Sequence, residues 1–173
     1  MENLNTLQKN FFKNYSYISN SKIGTVGGKL IVWKNSLSEL WSSITTRNSI
    51  TIVISTIGPN YNICVTNIYT PHKATKRIQM LQTVMKITET VPLPYKIIVG
   101  DFNIVLNIDE IKGGIYKLDK DLEFFQATID KLSLIGITTV NNTFTWNKRR
   151  GGVRHIGSRL DHFLLLEEIY VIF

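Results

Sequence analysis

A single cysteine, Cys64, stands among 173 residues, so neither an internal disulfide nor a cysteine-rich zinc site can form. Its setting in Ile63-Cys64-Val65 is apolar and reads as core rather than as a nucleophile, which leaves redox chemistry without a carrier. Histidine is nearly as scarce. His72 and His155 are isolated, and no two of the three histidines have the helical spacing of a metal-binding pair. No apolar run is long enough to span a bilayer, and Met1-Glu2-Asn3-Leu4-Asn5 has neither the positive start nor the apolar block of a secretory signal. The expectation is a soluble intracellular chain, nuclear or cytoplasmic, not secreted and with no membrane partner. No repeat or low-complexity tract signals a solenoid or a long linker. Gly24-Thr25-Val26-Gly27-Gly28 matches neither a P-loop nor a dinucleotide fingerprint and precedes a strand rather than a helix. It reads as a hairpin turn, and no small-molecule cofactor is expected.

What is present is enough for a core: 43% of the residues are hydrophobic, which suits one domain over residues 1–173, complete or part of a larger one. A net charge of +7 and an isoelectric point near 9.5 favour a polyanionic partner, nucleic acid first and an anionic membrane surface second. The densest basic stretch is Lys148-Arg149-Arg150, followed by Gly151-Gly152, Arg154 and Arg159. On charge alone it is a phosphate-contacting loop or a solvated one. Trp146 lies just before it, but one aromatic does not make a stacking platform.

The chain reads as strands interrupted by two helices. Residues 29–33, 50–57 and 61–69 are rich in β-branched and aromatic types and are separated by turn formers such as Gly58-Pro59-Asn60, which predicts consecutive antiparallel strands. Between Lys73 and Thr90, Ala74, Ile78, Leu81 and Met85 recur at steps of four, three and four and predict one buried helical face, stopped by Pro92 and Pro94. A second helix is expected from near Asp119 to Gly136, with Leu122, Phe125, Ile129 and Leu132 as its core stripe. Thr143-Phe144-Thr145-Trp146 and Arg159 to Leu165 supply the last strand candidates, the second interrupted by Asp161.

The stretch Ile97-Ile98-Val99-Gly100-Asp101-Phe102-Asn103 concentrates the chemistry, because an apolar strand ends in a glycine, a carboxylate and a carboxamide. Held at the end of a rigid strand, Asp101 can orient or deprotonate a water and Asn103 can hydrogen-bond a phosphate oxygen. The same four residues also read as an ordinary turn, since Gly and Asp form turns and Asn satisfies its own backbone.

The order of motifs resembles the endonuclease/exonuclease/phosphatase superfamily with the DNase I-like fold, most closely the endonuclease domains of non-LTR (LINE-type) retrotransposons. The resemblance runs from about Gly27 to Glu168. It is carried by Gly27-Gly28-Lys29-Leu30-Ile31-Val32-Trp33, Thr66-Asn67-Ile68-Tyr69-Thr70-Pro71, Gly100-Asp101-Phe102-Asn103, Glu110-Ile111-Lys112-Gly113-Gly114, Thr143-Phe144-Thr145-Trp146 and Ser158-Arg159-Leu160-Asp161. Each motif alone is weak, and six in the family's order with comparable spacings are specific. The implied fold is α+β, a four-layer α/β/β/α sandwich, here incomplete and lacking the family's first and last strands. The implied activity is Mg²⁺-dependent hydrolysis of DNA phosphodiesters.

Carried over residue by residue, the resemblance implies that Asp101 positions or activates the attacking water and that Asn103 holds that aspartate and the phosphate. It implies that the Tyr69 hydroxyl lies near the scissile phosphate and that Asp161 orients a catalytic histidine. Without the family, Tyr69 is a strand aromatic before a turn and Asp161 a paired carboxylate at a strand edge. Glu2 stands where related proteins place the glutamate that binds Mg²⁺, and it reads equally as a frayed terminal residue. The family's closing Ser-Asp-His motif would follow Ile169 to Phe173, so its catalytic histidine is not in these residues. His162 does not replace it, because strand neighbours point to opposite faces and Asp161 cannot readily reach it. A packed or exposed ring is expected there.

These residues imply a fragment of a retrotransposon-type endonuclease, weakly active or inactive as it stands, whose partners are DNA and, in the parent polyprotein, a reverse transcriptase domain. A basic nucleic-acid-binding remnant without catalysis, and a phosphatase or phosphodiesterase acting on a small molecule or lipid, are the alternatives. Missing first and last strands would leave unpaired sheet edges, so low stability or aggregation is expected.

Overall fold

The computed structural model describes residues 13–20, 28–113, 120–137, 144–148 and 156–170. Its centre is a six-stranded sheet in the order β3-β4-β5-β6-β11-β8, built from β3 (Ser38–Thr45), β4 (Ser49–Thr56), β5 (Asn62–Tyr69), β6 (Tyr95–Asp101), β8 (Leu134–Gly136) and β11 (Asp161–Leu166). β5 and β6 are parallel while the other pairs are antiparallel. A parallel pair needs a crossover, and helix α1 (Ala74–Thr90) supplies it. A hairpin of β1 (Tyr15–Asn20) and β2 (Lys29–Lys34) forms a separate pair, and β7 (Ile111–Lys112), β9 (Trp146–Lys148) and β10 (Ile156–Ser158) form a third sheet.

The two faces of the central sheet are covered differently. Ile68, Ile98 and Leu164 face the helices and are buried with Met80, Leu81 and Val84 of α1 and with Leu122 and Phe125 of α2 (Lys120–Lys131). On the other face the β1–β2 hairpin lies over β4 and β5, held where the Asn67 carboxamide donates to the Leu30 carbonyl at 3.1 Å and the buried Lys29 amine donates to the Arg47 carbonyl at 3.0 Å. Ile50 and Ile52 are fully enclosed beneath it. Thr51 and Thr66, buried register partners on β4 and β5, share a hydroxyl hydrogen bond at 3.1 Å.

Several boundaries differ from the sequence expectation. Strands 50–57 and 61–69 are antiparallel neighbours, but 29–33 pairs with β1, which the sequence reading did not predict, and β3 intervenes. β3 escapes a hydrophobicity pattern because it is an edge strand, exposed at every position but Ser38. On α1 the buried positions are Met80, Leu81, Val84 and Thr88, so Ala74, Ile78 and Met85 lie at the margin of the contact rather than at its centre. The Thr88 hydroxyl is satisfied by the Val84 carbonyl at 2.9 Å, which allows a polar residue on that face. α2 ends at Lys131, not Gly136: Ser133 turns left-handed at φ 50 and the chain leaves as β8. Leu122, Phe125 and Leu132 are buried as expected, with Ile129 packed at the edge. The expected hairpin turn lies, but for Gly28, outside the described residues, and the strands flanking it pair antiparallel. Asp119, the expected cap of α2, and Thr143 also lie outside them. Among the described residues no helix is long and apolar enough to cross a membrane.

Candidate active site

β5, β6 and β11 end level with one another. Tyr69 is the parallel register partner of Asp101, and Asp161 is its antiparallel partner. Register partners project to the same face, so a phenol and two carboxylates stand in one row at the end of the central sheet. His162, one step along β11, pairs with Gly100 and projects to the opposite, helix-covered face, where its ring is buried.

The loop beyond β6 locks this row in place. The Asp101 carboxylate accepts the Asn103 backbone amide at 2.8 Å, closing an Asx turn, and Asn103 takes a left-handed conformation at φ 51 that asparagine tolerates. The Asn103 side chain donates to the Thr70 carbonyl, and the Thr70 amide donates to the Asp101 carbonyl at 2.7 Å. The Phe102 amide reaches the Leu160 carbonyl at 2.8 Å. Gly100-Asp101-Phe102-Asn103 therefore forms a turn, and the turn fixes the two side chains that the site reading names. Gly100 is required by close approach: at φ +135, a Cβ would lie 2.0 Å from the Ile68 carbonyl oxygen.

Asp161 is held from beneath. The Thr145 hydroxyl oxygen accepts the amides of both Leu160 and Asp161, at 3.0 and 3.1 Å, while the Asp161 side chain stays exposed. The Asp101 carboxyl is raised above the usual carboxylate range, chiefly by burial, against the Asn103 amide that stabilises its charge; Asp161 pushes it further up and His72 pulls it down. A base shifted toward neutrality is better suited to taking a proton from water.

The structure brings Tyr69, Asp101, Asn103 and Asp161 together. Asn103 meets Asp101 through its backbone amide, and its carboxamide engages Thr70 instead. Trp146 is partly exposed on β9, whose last residue is Lys148. Arg149, Arg150 and Glu2 lie outside the described residues. Two contributors were not predicted from sequence: Thr70, whose backbone joins Asp101 to Asn103, and the Thr145 hydroxyl. Both sit inside motifs the sequence displays, but their roles lie in tertiary contacts. Among the described residues no three metal-ligating side chains cluster. The acidic pair Asp101 and Asp161 nonetheless gives this sheet end the oxygen chemistry that a hard cation prefers.

No protein-family model matches the chain, and no curated protein sequence does. Solved structures do. The endonuclease domain of TRAS1, a telomere-specific non-LTR retrotransposon, superposes with a TM-score of 0.65 at 19% identity, covering 91% of this chain and 69% of that one. An endonuclease/exonuclease/phosphatase family protein from Bacteroides thetaiotaomicron gives 0.65 at 15% identity, with 96% and 66% covered. The TDP2 protein of D. rerio, complexed with a single-strand DNA product, gives 0.62 at 15% identity, with 94% and 66% covered. The chain thus has the α+β, DNase I-like fold of the endonuclease/exonuclease/phosphatase proteins. It spans about two thirds of the length of these structures.

Proposed function

We propose that this chain is part of a DNA endonuclease of the non-LTR retrotransposon type, hydrolysing phosphodiester bonds at the row formed by Tyr69, Asp101 and Asp161. The observation that carries the reading is the register itself, which sets three family-matching residues on one face at one sheet end. In this reading Asp101 orients the attacking water and accepts its proton, and Asn103 holds the loop so that the carboxylate stays aimed. The Tyr69 hydroxyl donates toward the phosphate oxygens as charge develops on them. Asp161 completes the acidic end of the row. Glu2 is the proposed Mg²⁺ ligand, and the metal would stabilise charge on the phosphate. The basic segment Lys148, Arg149 and Arg150 is the proposed DNA contact, in keeping with the net charge of +7.

Relaxation of supercoiled plasmid tests this. Mg²⁺-dependent nicking is expected, falling about a hundredfold or more in Asp101→Ala. Nicking that survives the substitution overturns the assignment. Binding that weakens steeply with salt, with no nicking at all, favours the non-catalytic nucleic-acid-binding reading instead.

A further inference from the structure

His162 is one of the most deeply buried polar residues described, 3% exposed, and the proposed reaction does not use it. An imidazole in such a place is usually a passive member of the core, and an aromatic or aliphatic side chain would pack there without burying a ring nitrogen that has no partner. Its contacts argue for more. Nε2 lies 2.8 Å from the carbonyl oxygen of Ile104, the residue after Asn103. The ring stands edge-on to Phe102, with centroids 5.5 Å apart, and 6.1 Å from Phe125 of α2. The segment from Phe102 to Leu106 belongs to no helix or strand, so its carbonyls find no ladder partner. A buried carbonyl in that position needs a donor, and His162 supplies it as the Nε2–H tautomer.

The other end of the segment is tied to the same cluster. The Leu106 amide donates to Glu110 Oε2 at 2.6 Å. Glu110 Oε1 lies 3.7 Å from Arg159 Nη1 and 3.9 Å from His162 Nδ1. Arg159 is fixed in turn by its Nη2 donating to the Ile137 carbonyl at 2.7 Å and its amide donating to the Glu110 carbonyl at 3.0 Å. His162 Nδ1 has no hydrogen-bond partner, as an acceptor nitrogen facing a carboxylate must be. Few buried polar atoms are left so, and here the orphan is the consequence of committing the other nitrogen to Ile104.

We propose that His162 is a positioning residue: from β11 it clamps the loop that follows Asp101 and carries Asn103, through the Ile104 carbonyl and the Phe102 ring, while Glu110 and Arg159 hold the far end of that loop. The clamp joins the strand bearing Asp161 to the loop whose Asn103 amide holds the Asp101 carboxylate, so it keeps that carboxylate aimed within the row that the β6–β11 register sets.

The test compares His162→Phe, which keeps the bulk but cannot donate, with His162→Gln, whose carboxamide N–H can take the place of Nε2–H. In His162→Phe the amides of residues 102–106 are expected to exchange about tenfold faster or more, while those of the central sheet are unchanged. His162→Gln restores most of the protection. Unaltered exchange in His162→Phe, or equal loosening in both variants, overturns the proposal. ¹⁵N NMR of the wild-type imidazole provides a measurement that needs no variant to fold: the Nε2–H tautomer supports the clamp, and the Nδ1–H tautomer overturns it. Plasmid nicking adds a third arm, which rests on the proposed role of Asp101. There kcat falls about tenfold or more in His162→Phe with KM within about twofold, and His162→Gln recovers it. If the wild-type chain does not nick plasmid, the function reading fails, and exchange and NMR still decide the clamp.

Discussion

The carboxyl of Asp101 is partly withdrawn from water at the end of β6 and faces Asp161 across the strand pair, and both effects make it harder to ionise. A carboxyl whose folded value lies above its unfolded value favours folding while protonated, at low pH, and loses that contribution as pH rises through the folded value. At neutral pH the ionised Asp101 therefore opposes folding. Asp101→Asn removes the charge and keeps an oxygen to accept the Asn103 amide. Its expected effect is a gain of about 0.5–1 kcal/mol near pH 7, discounted because the group is part solvated, that shrinks toward about pH 3. Melting curves of both proteins across that range check it, and a less stable variant at neutral pH contradicts it. His162 acts in the opposite sense: burial holds its imidazole below the usual range, so its contribution is present above the ordinary histidine value and is lost as pH falls. The chemical identity of Asp101 was legible in the sequence. Its environment was not, because Asp161 lies sixty residues away along the chain and becomes its neighbour only through the β6–β11 register.

Among the elements, α1 and α2 are joined by the ion pair Arg77–Asp121, with Nη2 2.6 Å and Nε 3.2 Å from one carboxylate oxygen. Arg77 Nη1 also donates to the His72 carbonyl at 2.5 Å, in the loop that leads from Tyr69 into α1. One guanidinium thus fastens both helices and the loop next to the site. The Asp121 side chain is 5% exposed, so Asp121→Ala leaves a largely buried cation without its counter-ion and is expected to cost about 3 kcal/mol. Urea unfolding should show a lower midpoint at unchanged slope. Neither residue stood out in the sequence, since each occupies an ordinary helical position and their separation of 44 residues hides the pairing. Elements with an apolar rhythm were legible: β4, β5, β6, α1 and α2 all fall close to where the pattern places them. β1, β3 and β8 were not, because short or edge strands bury too little for a period to show.

At the scale of the whole molecule, β3 has no strand beyond it among the described residues, and Leu40, Trp41 and Ile44 are exposed along this edge of the central sheet, with Glu39 the strand's only charged residue. An apolar edge without lysine or proline is a template for pairing with another chain. Trp41, 71% exposed at an irregularity between Leu40 and Ser42, is the position to alter. Trp41→Lys is expected to reduce concentration-dependent light scattering while shifting stability by no more than about 0.5 kcal/mol. Scattering equal to that of the parent would place the association elsewhere. The sequence by itself determined the kind of fold, through motifs that resemble a known family, and the residue types of the candidate site, because apolar periodicity and short motifs are local properties of the chain. Only the tertiary structure decided which residues meet: Tyr69 and Asp161 flanking Asp101, Thr70 joining Asp101 to Asn103, and His162 beneath their loop. Register and close packing relate residues that are far apart in sequence, and no local pattern records them.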